Sequence, residues 1–337
     1  MSEAFEAAVL IGRFQPFHNG HAALLRKALE SAPRVIVVLG SAFQARDAKD
    51  PFTHEERAAI IGATLEASER ARVQFAPVRD CYDERRWAGT VLAAVQTITG
   101  GQARIALIGH HKDLSTAYLN RFPGWTFIDA GRAGDVDATQ LRRILFGSDD
   151  AEVIGTLRAP AAVRRYLKIW ARLPHCARLR EEHRAMEAGK KKYGDGPFIT
   201  VDAVVRAAGH VLLIRRARSP GKGMWALPGG FLEPRERVLA GALRELREET
   251  GCALPDSELE AALRGVAVFD HPDRSLRGRT ITHAHYFDIA CTHPPQVAAA
   301  DDAAATKWVP VETLCGMEDQ FFEDHFHILN HFLELGV

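Results

Sequence analysis

Two short stretches of this chain carry residue types at spacings that suit chemistry. In the first, His18-Asn19-Gly20-His21 follows an apolar run that stops at Gly12. Two imidazoles around a helix entrance put donor or cationic side chains beside the exposed backbone N–H groups of the first turn, where phosphate binds well. Gly20 removes the Cβ that would hold a phosphate oxygen off the backbone. Taken alone, the tetrapeptide is equally the composition of a solvated turn. In the second stretch the chain fits G-x5-E-x7-R-E-U-x-E-E-x-G-U at Gly230, Glu236, Arg244, Glu245, Leu246, Glu248, Glu249 and Gly251, with the smaller Cys252 at the final apolar place. On a helix Glu245, Glu248 and Glu249 lie at i, i+3 and i+4 and share one face. Three like charges there repel unless a cation binds, and hard oxygen donors select Mg²⁺ or Mn²⁺. A solvated helix laced with pairs such as Arg244 and Glu248 is the bland alternative.

Each stretch needs a frame to position it. From residue 7 to about 130, the runs "AAVLIG", "RVIVVLG", "ARIALIG" and "WTFIDA" alternate with helical stretches near 20–31 and 53–68. Such alternation predicts a doubly wound, Rossmann-like α/β fold with a parallel sheet covered on both faces. Ligands of such sheets sit beyond the carboxyl ends of the strands, and the first strand ends beside the histidines. A strongly charged segment follows, predicted as a surface helical linker over 173–196. From 197 the texture becomes α+β: two strands around an Ala-Gly turn, a helix near 236–250, strands near 263–269 and 280–290, and a helix near 320–335. The expected organisation is a first domain over 1–172, the linker, and a second domain over 197–337.

Bulk properties narrow the partners. The chain has 337 residues, enough for two cores, with 47% hydrophobic and 26% charged residues. Lysine plus arginine (43) equals aspartate plus glutamate (43), so no global field attracts nucleic acid or an anionic membrane. Apolar runs are strand-sized, and the acidic start lacks the features of an export signal. Five scattered cysteines, Cys81, Cys176, Cys252, Cys291 and Cys315, indicate neither a disulfide framework nor a zinc site, and a reducing cytoplasm is the expected location. With no global field, any anionic ligand must be held by local sites, and homo-oligomerisation is left open.

The stretch Gly12-Arg13-Phe14-Gln15-Pro16-Phe17-His18-Asn19-Gly20-His21 resembles the nucleotidyltransferase superfamily, specifically the nicotinamide mononucleotide (NMN) adenylyltransferases of archaeal type. "KDPFTHEER", "IGHHKDLSTAYLNRFPGW" and "VDATQLRR" agree with it, the last with Asp137 and Ala138 where serine is common in the motif. The resemblance covers about residues 7–170. It implies attack of the NMN phosphate on the α-phosphorus of ATP, giving NAD and pyrophosphate without a covalent intermediate. His18, His21, Thr139 and Arg142, with Mg²⁺, would stabilise the developing charge, Thr139 also capping a helix near 139–147. Gly12, Arg13, Phe14, Arg46, Lys112 and Asp113 would bind substrate, Asp80 would meet the ribose or amide of NMN, and Trp87 would stack on its cationic ring. Core packing is the alternative for Trp87, a cap alone for Thr139, solvated charge for Arg46, and a surface ion pair for Lys112 and Asp113.

The second pattern is identified as the Nudix box, whose enzymes hydrolyse a nucleoside diphosphate linked to another moiety with metal assistance. Gly230, Glu245, Glu248 and Glu249 would then hold Mg²⁺ or Mn²⁺, with Arg244 orienting the glutamates. "FDHPDRSLRGRTITHAHYF" and "FFEDHFHIL" resemble the ADP-ribose pyrophosphatases fused to NMN adenylyltransferases, and Arg277 and Arg279 would grip phosphate or stack on adenine. The proline that many ADP-ribose enzymes carry sixteen residues after the box is Val268 here. For the general base, Glu248, Glu323 and Asp324 are candidates. The expectation is a bifunctional enzyme that makes NAD from NMN and ATP and hydrolyses ADP-ribose to AMP and ribose 5-phosphate. A nicotinamide-nucleotide sensor, and an adenylyltransferase for another phosphate acceptor such as phosphopantetheine, are the competing readings.

Overall fold

The computed structural model describes residues 4–101, 103–110, 114–131, 136–148 and 150–336. It divides into two compact units, Met1–Arg180 and Glu181–Val337.

In the first unit the strands β1 (Ala7–Gly12), β2 (Arg34–Leu39), β3 (Val73–Pro77), β4 (Ile105–Gly109) and β5 (Thr126–Asp129) form a sheet in the order β3-β2-β1-β4-β5. Every pairing is parallel, as the continuous apolar runs predict. Between them lie α1 (Asn19–Ser31), α2 (His54–Gly62), the single turn α3 (Ala67–Arg70) and α4 (Glu84–Thr99). The long helix expected over 53–68 is thus broken after Gly62. Helix α4 buries Ala88, Val91 and Val95 against Val9, Ile36, Val38 and Leu107 of the sheet, and it stops at Gly100, whose φ of 79° is the left-handed conformation. Helices α5 (Ala138–Gly147), α6 (Ala151–Gly155), α7 (Ala161–Trp170) and α8 (Pro174–Tyr193) follow. The helix predicted as a surface linker is α8, and one face of its first half is buried. Cys176, Leu179 and Arg180 are buried, and Arg180 donates to the carbonyls of Leu145, Ser148 and Ala171.

One buried charge ties the carboxyl ends of β1 and β2 together. Arg57, on α2 and 1% exposed, donates to the carbonyls of Arg13 (2.7 Å), Gly40 (2.6 Å), Ser41 (3.1 Å) and Thr53 (3.3 Å). Helix α2 can hold it there because Thr53 and Glu56 form a reciprocal capping box at its start. Burial pushes the Arg57 guanidinium down to about 10, which still leaves it charged at neutral pH.

The second unit has a seven-stranded mixed sheet. Strands β6 (Phe198–Ala207), β7 (His210–Arg216), β10 (Leu263–Phe269), β11 (Thr280–Ile289) and β12 (Ala303–Pro310) run in the order β10-β11-β6-β7-β12, with the short β8 (Trp225–Ala226) on β7 and β9 (Gly229–Phe231) on β6. Only β11 and β6 pair in parallel. Helices α9 (Val238–Thr250) and α10 (Asp256–Ala262) cover one face, where Leu243, Leu246 and Leu259 pack on Ala203, Val205 and Phe287. The last helix, α11 (His325–Leu333), covers the other with Phe326, Ile328 and Leu329 against Val204, Val211 and Leu213.

Replacing Arg57 by methionine strands three carbonyls of the strand ends without a donor, at a cost of about 2–4 kcal/mol. Hydrogen exchange in Arg57→Met is expected to quicken across Ala7–Gly12 and Arg34–Leu39 while β6 and β11 keep their protection; unchanged exchange in the first two strands would refute the clamp.

Candidate active sites

The first site grows from the end of β1. His18 is the N-cap of α1, and its Nδ1 accepts the backbone N–H of His21 at 3.3 Å. That bond uses the Nδ1 lone pair, so in the neutral ring the proton sits on Nε2, which becomes a donor. The two rings stack with centroids 3.6 Å apart and planes 18° apart. Burial, then the His18 charge, holds His21 well below the usual histidine range, which keeps the stacked pair from carrying two positive charges at neutral pH. Among the described residues the enclosed His21 Nδ1 has no hydrogen-bond partner. Phe14, with φ 55°, lays its ring over Gly12 and meets His21 edge-on at 4.9 Å. A Cβ on Gly12 would lie 3.0 Å from the Phe14 ring, so glycine is what admits this wall. Phe14 is itself buried and closes the floor of the site.

Arg142 reaches the same place from α5. Its Nη1 donates to the Gln15 carbonyl at 2.7 Å and its Nη2 to Thr139 Oγ1 at 3.2 Å, and burial lowers its pKa without discharging it. Gln15 is fixed in turn, its side chain exchanging two hydrogen bonds with the Phe52 backbone at 2.9 and 3.0 Å. Neither Gln15 nor Arg57 was singled out from sequence. Both stood in quoted stretches, Gln15 in the first and Arg57 at the end of "KDPFTHEER", but neither residue type marks its partner. The expected capping role of Thr139 is corrected: α5 begins at Ala138 and its N-cap is Asp137, which accepts the Thr139 N–H at 2.8 Å. An aspartate at this place takes the capping bond that a threonine hydroxyl would otherwise make.

The remaining assigned residues differ in their surroundings. Arg13 is half exposed, with Nη1 3.8 Å from the buried Asp50. Arg46 is committed elsewhere: it pairs with Glu56 and donates to the Pro51 carbonyl at 2.8 Å, so it is neither a solvated charge nor an unengaged phosphate ligand. Asp80 accepts the Ser41 N–H (3.2 Å) and hydroxyl (2.5 Å), closing the end of β2. Trp87 packs partly buried on the sheet core, edge-on to Tyr118 at 5.5 Å and Phe122 at 6.3 Å. Lys112 and Asp113 lie outside the described residues.

The second site is held by Arg244. Its guanidinium donates to Glu236 at 2.8 and 3.0 Å, to Glu245 at 2.9 Å, to Glu248 at 2.9 Å and to the Phe231 carbonyl at 3.2 Å. It therefore orients the glutamates, as the spacing suggested. Gly251 ends α9 with φ 58° and donates to the Arg247 carbonyl at 2.9 Å. A Cβ on Gly230 would lie 2.4 Å from Glu245 Oε1, so the carboxylate can approach that backbone only because residue 230 is glycine. Glu249 is buried and accepts the Gly229 N–H at 3.0 Å. Burial, with the charges of Glu245 and Asp202 adding, pushes it up to about 8. Among the described residues no three His, Cys, Asp or Glu side chains already surround a metal position, and Arg244 holds Glu236, Glu245 and Glu248. The donor set nonetheless fits a hard divalent cation: two crowded carboxylates, a third on the exposed side, and a backbone approach cleared by Gly230.

Arg277 and Arg279 part company. Arg277 pairs with Glu323 at 2.9 Å and lies 5.4 and 5.8 Å from the Phe322 and Phe231 rings, whereas Arg279 donates to the Asp270 carbonyl. Asp324 is corrected as a candidate base. It is 1% exposed and bound in two places by Arg274 at 2.7 and 2.8 Å, an ion pair with no access for water. Glu323 is also engaged, by Ser275 at 2.6 Å and by Arg277; these contacts outweigh its burial and lower its pKa. Glu248, exposed and bound only on its Arg244 side, remains the carboxylate open to a water.

Comparison with known proteins agrees with this geometry. A cytidylyltransferase-like family profile matches residues 9–99, and the NUDIX domain profile matches residues 196–332. A nicotinamide/nicotinic acid mononucleotide adenylyltransferase from Acinetobacter baylyi is 33% identical over 185 residues, 55% of this chain and 96% of that protein. An ADP-ribose pyrophosphatase from Methanocaldococcus jannaschii is 33% identical over 118 residues, 35% of this chain and 64% of that one. A solved bifunctional NMN adenylyltransferase/ADP ribose pyrophosphatase from Francisella tularensis superimposes with a TM-score of 0.89 at 32% identity, over 98% of this chain and 99% of that one. The same enzyme has been solved with AMP and a manganese ion.

Glu249 generates a pH dependence of stability. Its folded value of about 8 exceeds the ordinary 4.5, so its contribution is fully present below about pH 4.5 and is lost as pH rises through about 8. In chelator, Glu249→Gln is expected to unfold at higher denaturant than the parent at about pH 9 and to show less difference at about pH 5. Parallel pH profiles for the two proteins would contradict the assignment.

Proposed function

The chain belongs to the family of bifunctional NMN adenylyltransferase/ADP-ribose pyrophosphatases, and from that premise we propose that its first unit joins NMN to the AMP moiety of ATP while its second hydrolyses ADP-ribose. The observation that carries the reading is the match over 98% of the chain, and the hydrogen-bonded arrangement of His18, Arg142, Arg244 and the glutamates supports it. In the first unit NMN phosphate attacks the α-phosphorus of ATP, and NAD and pyrophosphate result. The His18 Nε2–H and the Arg142 guanidinium are the donors positioned for phosphate oxygens, and the N-terminus of α1 adds its backbone N–H groups. His21 holds His18 by stacking and by its own N–H, so the donor direction is set before substrate arrives. A magnesium ion carried with the triphosphate would neutralise the leaving pyrophosphate. Trp87 and Asp80, after β3 and beside the end of β2, are the groups proposed to receive the nicotinamide ribonucleotide.

In the second unit ADP-ribose is cut at its pyrophosphate to AMP and ribose 5-phosphate. Gly230, Glu245, Glu248 and Glu249 are the proposed holders of Mg²⁺ or Mn²⁺, which would neutralise the pyrophosphate and lower the pKa of an attacking water. Arg244 keeps Glu245 and Glu248 from separating, and Glu248 is the proposed base. Arg277, beside Phe322 and Phe231, is placed to meet a phosphate or the adenine face. The sensor reading is disfavoured because each carboxylate of the pattern is present and oriented.

The protein incubated with Mg²⁺, NMN and ATP is expected to yield NAD, and with ADP-ribose to yield AMP. His18→Ala should lower NAD formation about 100- to 1,000-fold and spare hydrolysis. Glu248→Gln should lower hydrolysis about 100- to 10,000-fold and spare NAD formation. Loss of both activities in either folded variant would overturn the two-site assignment.

A further inference from the structure

A third histidine follows β4, the strand beside β1, and the structure gives it the opposite hydrogen-bonding sense to His18. His110 follows the last residue of β4, and its Nδ1 lies 3.2 Å from Asp129 Oδ1, at the end of β5. The same Asp129 oxygen accepts the Gly131 N–H at 2.9 Å, which fixes the carboxylate. A carboxylate only accepts, so the proton of a neutral His110 ring is on Nδ1 and Nε2 presents a lone pair. Among the described residues Nε2 has no hydrogen-bond partner. His18, whose Nδ1 accepts, offers an N–H to an anion; His110 offers an acceptor, which suits an amino group and not a phosphate.

Topology places that acceptor on the ligand. The connections run from β1 outward through β2 to β3 on one side, and through β4 to β5 on the other, so the sheet reverses order between β1 and β4. Ligands of open parallel sheets occupy the crevice at that reversal. The β1–β4 register pairs Leu10 with Ile108. The pairing ends there, so Gly12, the last residue of β1, and His110, which follows β4, each lie two residues beyond the last pair, at the carboxyl ends of neighbouring strands. Asp80 and Trp87, proposed for NMN, follow β3 on the other flank. With the phosphates at the β1–α1 turn between the flanks, the second base falls on the β4 side.

We infer that His110, aimed by Asp129, is the adenine-recognising residue of the adenylyl-transfer site, its Nε2 accepting a hydrogen bond from the N6 amino group of ATP. The inference rests on the adenylyltransferase reading of the first unit. A 6-oxopurine presents an acceptor at that position, so two lone pairs would face each other and the nucleotide would be rejected.

The test measures NAD-type product formation with ATP and with ITP in the full chain. Wild-type protein should prefer ATP, and His110→Ala should cut the ATP:ITP ratio of kcat/KM by about tenfold or more, chiefly through KM for ATP, with KM for NMN unchanged. His110→Gln, which retains a carbonyl acceptor, should recover part of that ratio. ADP-ribose hydrolysis by the same variants reports that the chain is folded. An unchanged ATP:ITP ratio in His110→Ala, an equal loss for both nucleotides, or a change confined to KM for NMN would each overturn base recognition by His110 while leaving the adenylyltransferase reading intact. No dinucleotide from wild-type protein with NMN and ATP would instead overturn that reading, and this inference with it.

Discussion

The helix bearing Glu245, Glu248 and Glu249 crowds carboxylates whose repulsion Arg244 offsets at Glu245 and Glu248. Carboxylates one turn apart repel, and Glu249 is buried as well, so each arrival of negative charge disfavours the next. Arg244 answers with one planar guanidinium shared among Glu236, Glu245 and Glu248, a geometry that a lysine ammonium could not reproduce at all three. The rest of the second unit follows from this. Strand β9 must bring Gly230 under Glu245 and Gly229 under Glu249, and both need to be glycine because a Cβ at either would lie within 2.5 Å of a neighbouring oxygen. The sheet then has to place β9 on β6, which it does by pairing Gly230 with Val201 and Gly229 with Asp202.

The first unit meets the reverse problem, the crowding of groups that can become positive. His18 and His21 stack at 3.6 Å, and Arg13, Arg57 and Arg142 converge around the end of β1. The pair is tolerated because His21 is held neutral, and the arginines because two of them spend their N–H groups on backbone carbonyls. Arg57 and Arg142 thus serve as scaffold and as field at once. Their donors fix Arg13, Gln15, Gly40 and Ser41, while their charges stay near the place where phosphate is proposed to sit.

The fold was largely legible in the sequence because its strands are uniformly apolar where both faces are covered, so "RVIVVLG" and "ARIALIG" announced a parallel sheet. Helix α9 was legible for a different reason, since the spacing of its glutamates and Gly251 states both its face and its end. What sequence reading missed is the set of groups that compensate buried charge. Arg57, Gln15 and Asp129 act through contacts 16 to 44 residues apart in the chain, and no local pattern marks such a partner. Asp324 was misread for the same kind of reason, its partner lying 50 residues away, and Thr139 because Asp137, two residues before it, is itself a capping residue. Each is the type that the chemistry asks for, and in each case a neighbour defines its role: Asp137 takes the cap, and Arg274 takes the carboxylate.

Zero net charge, which excluded a global field, does not exclude strong local ones, and the two sites are preloaded with opposite signs. A site lined by His18, Arg13 and Arg142 attracts a polyphosphate directly, and its electrostatic requirement is that these groups not repel one another before the substrate arrives. One lined by carboxylates, of which Glu249 is pushed up to about 8, offers a polyphosphate little attraction, and the proposed Mg²⁺ or Mn²⁺ would supply the positive charge that a pyrophosphate meets. The two proposed reactions, one forming and one breaking a pyrophosphate linkage to AMP, therefore place different demands on the protein. The first needs donors fixed in direction, which the Nδ1 bond of His18 supplies. The second needs carboxylates fixed in position against their own repulsion, which Arg244 and the absence of two Cβ atoms supply.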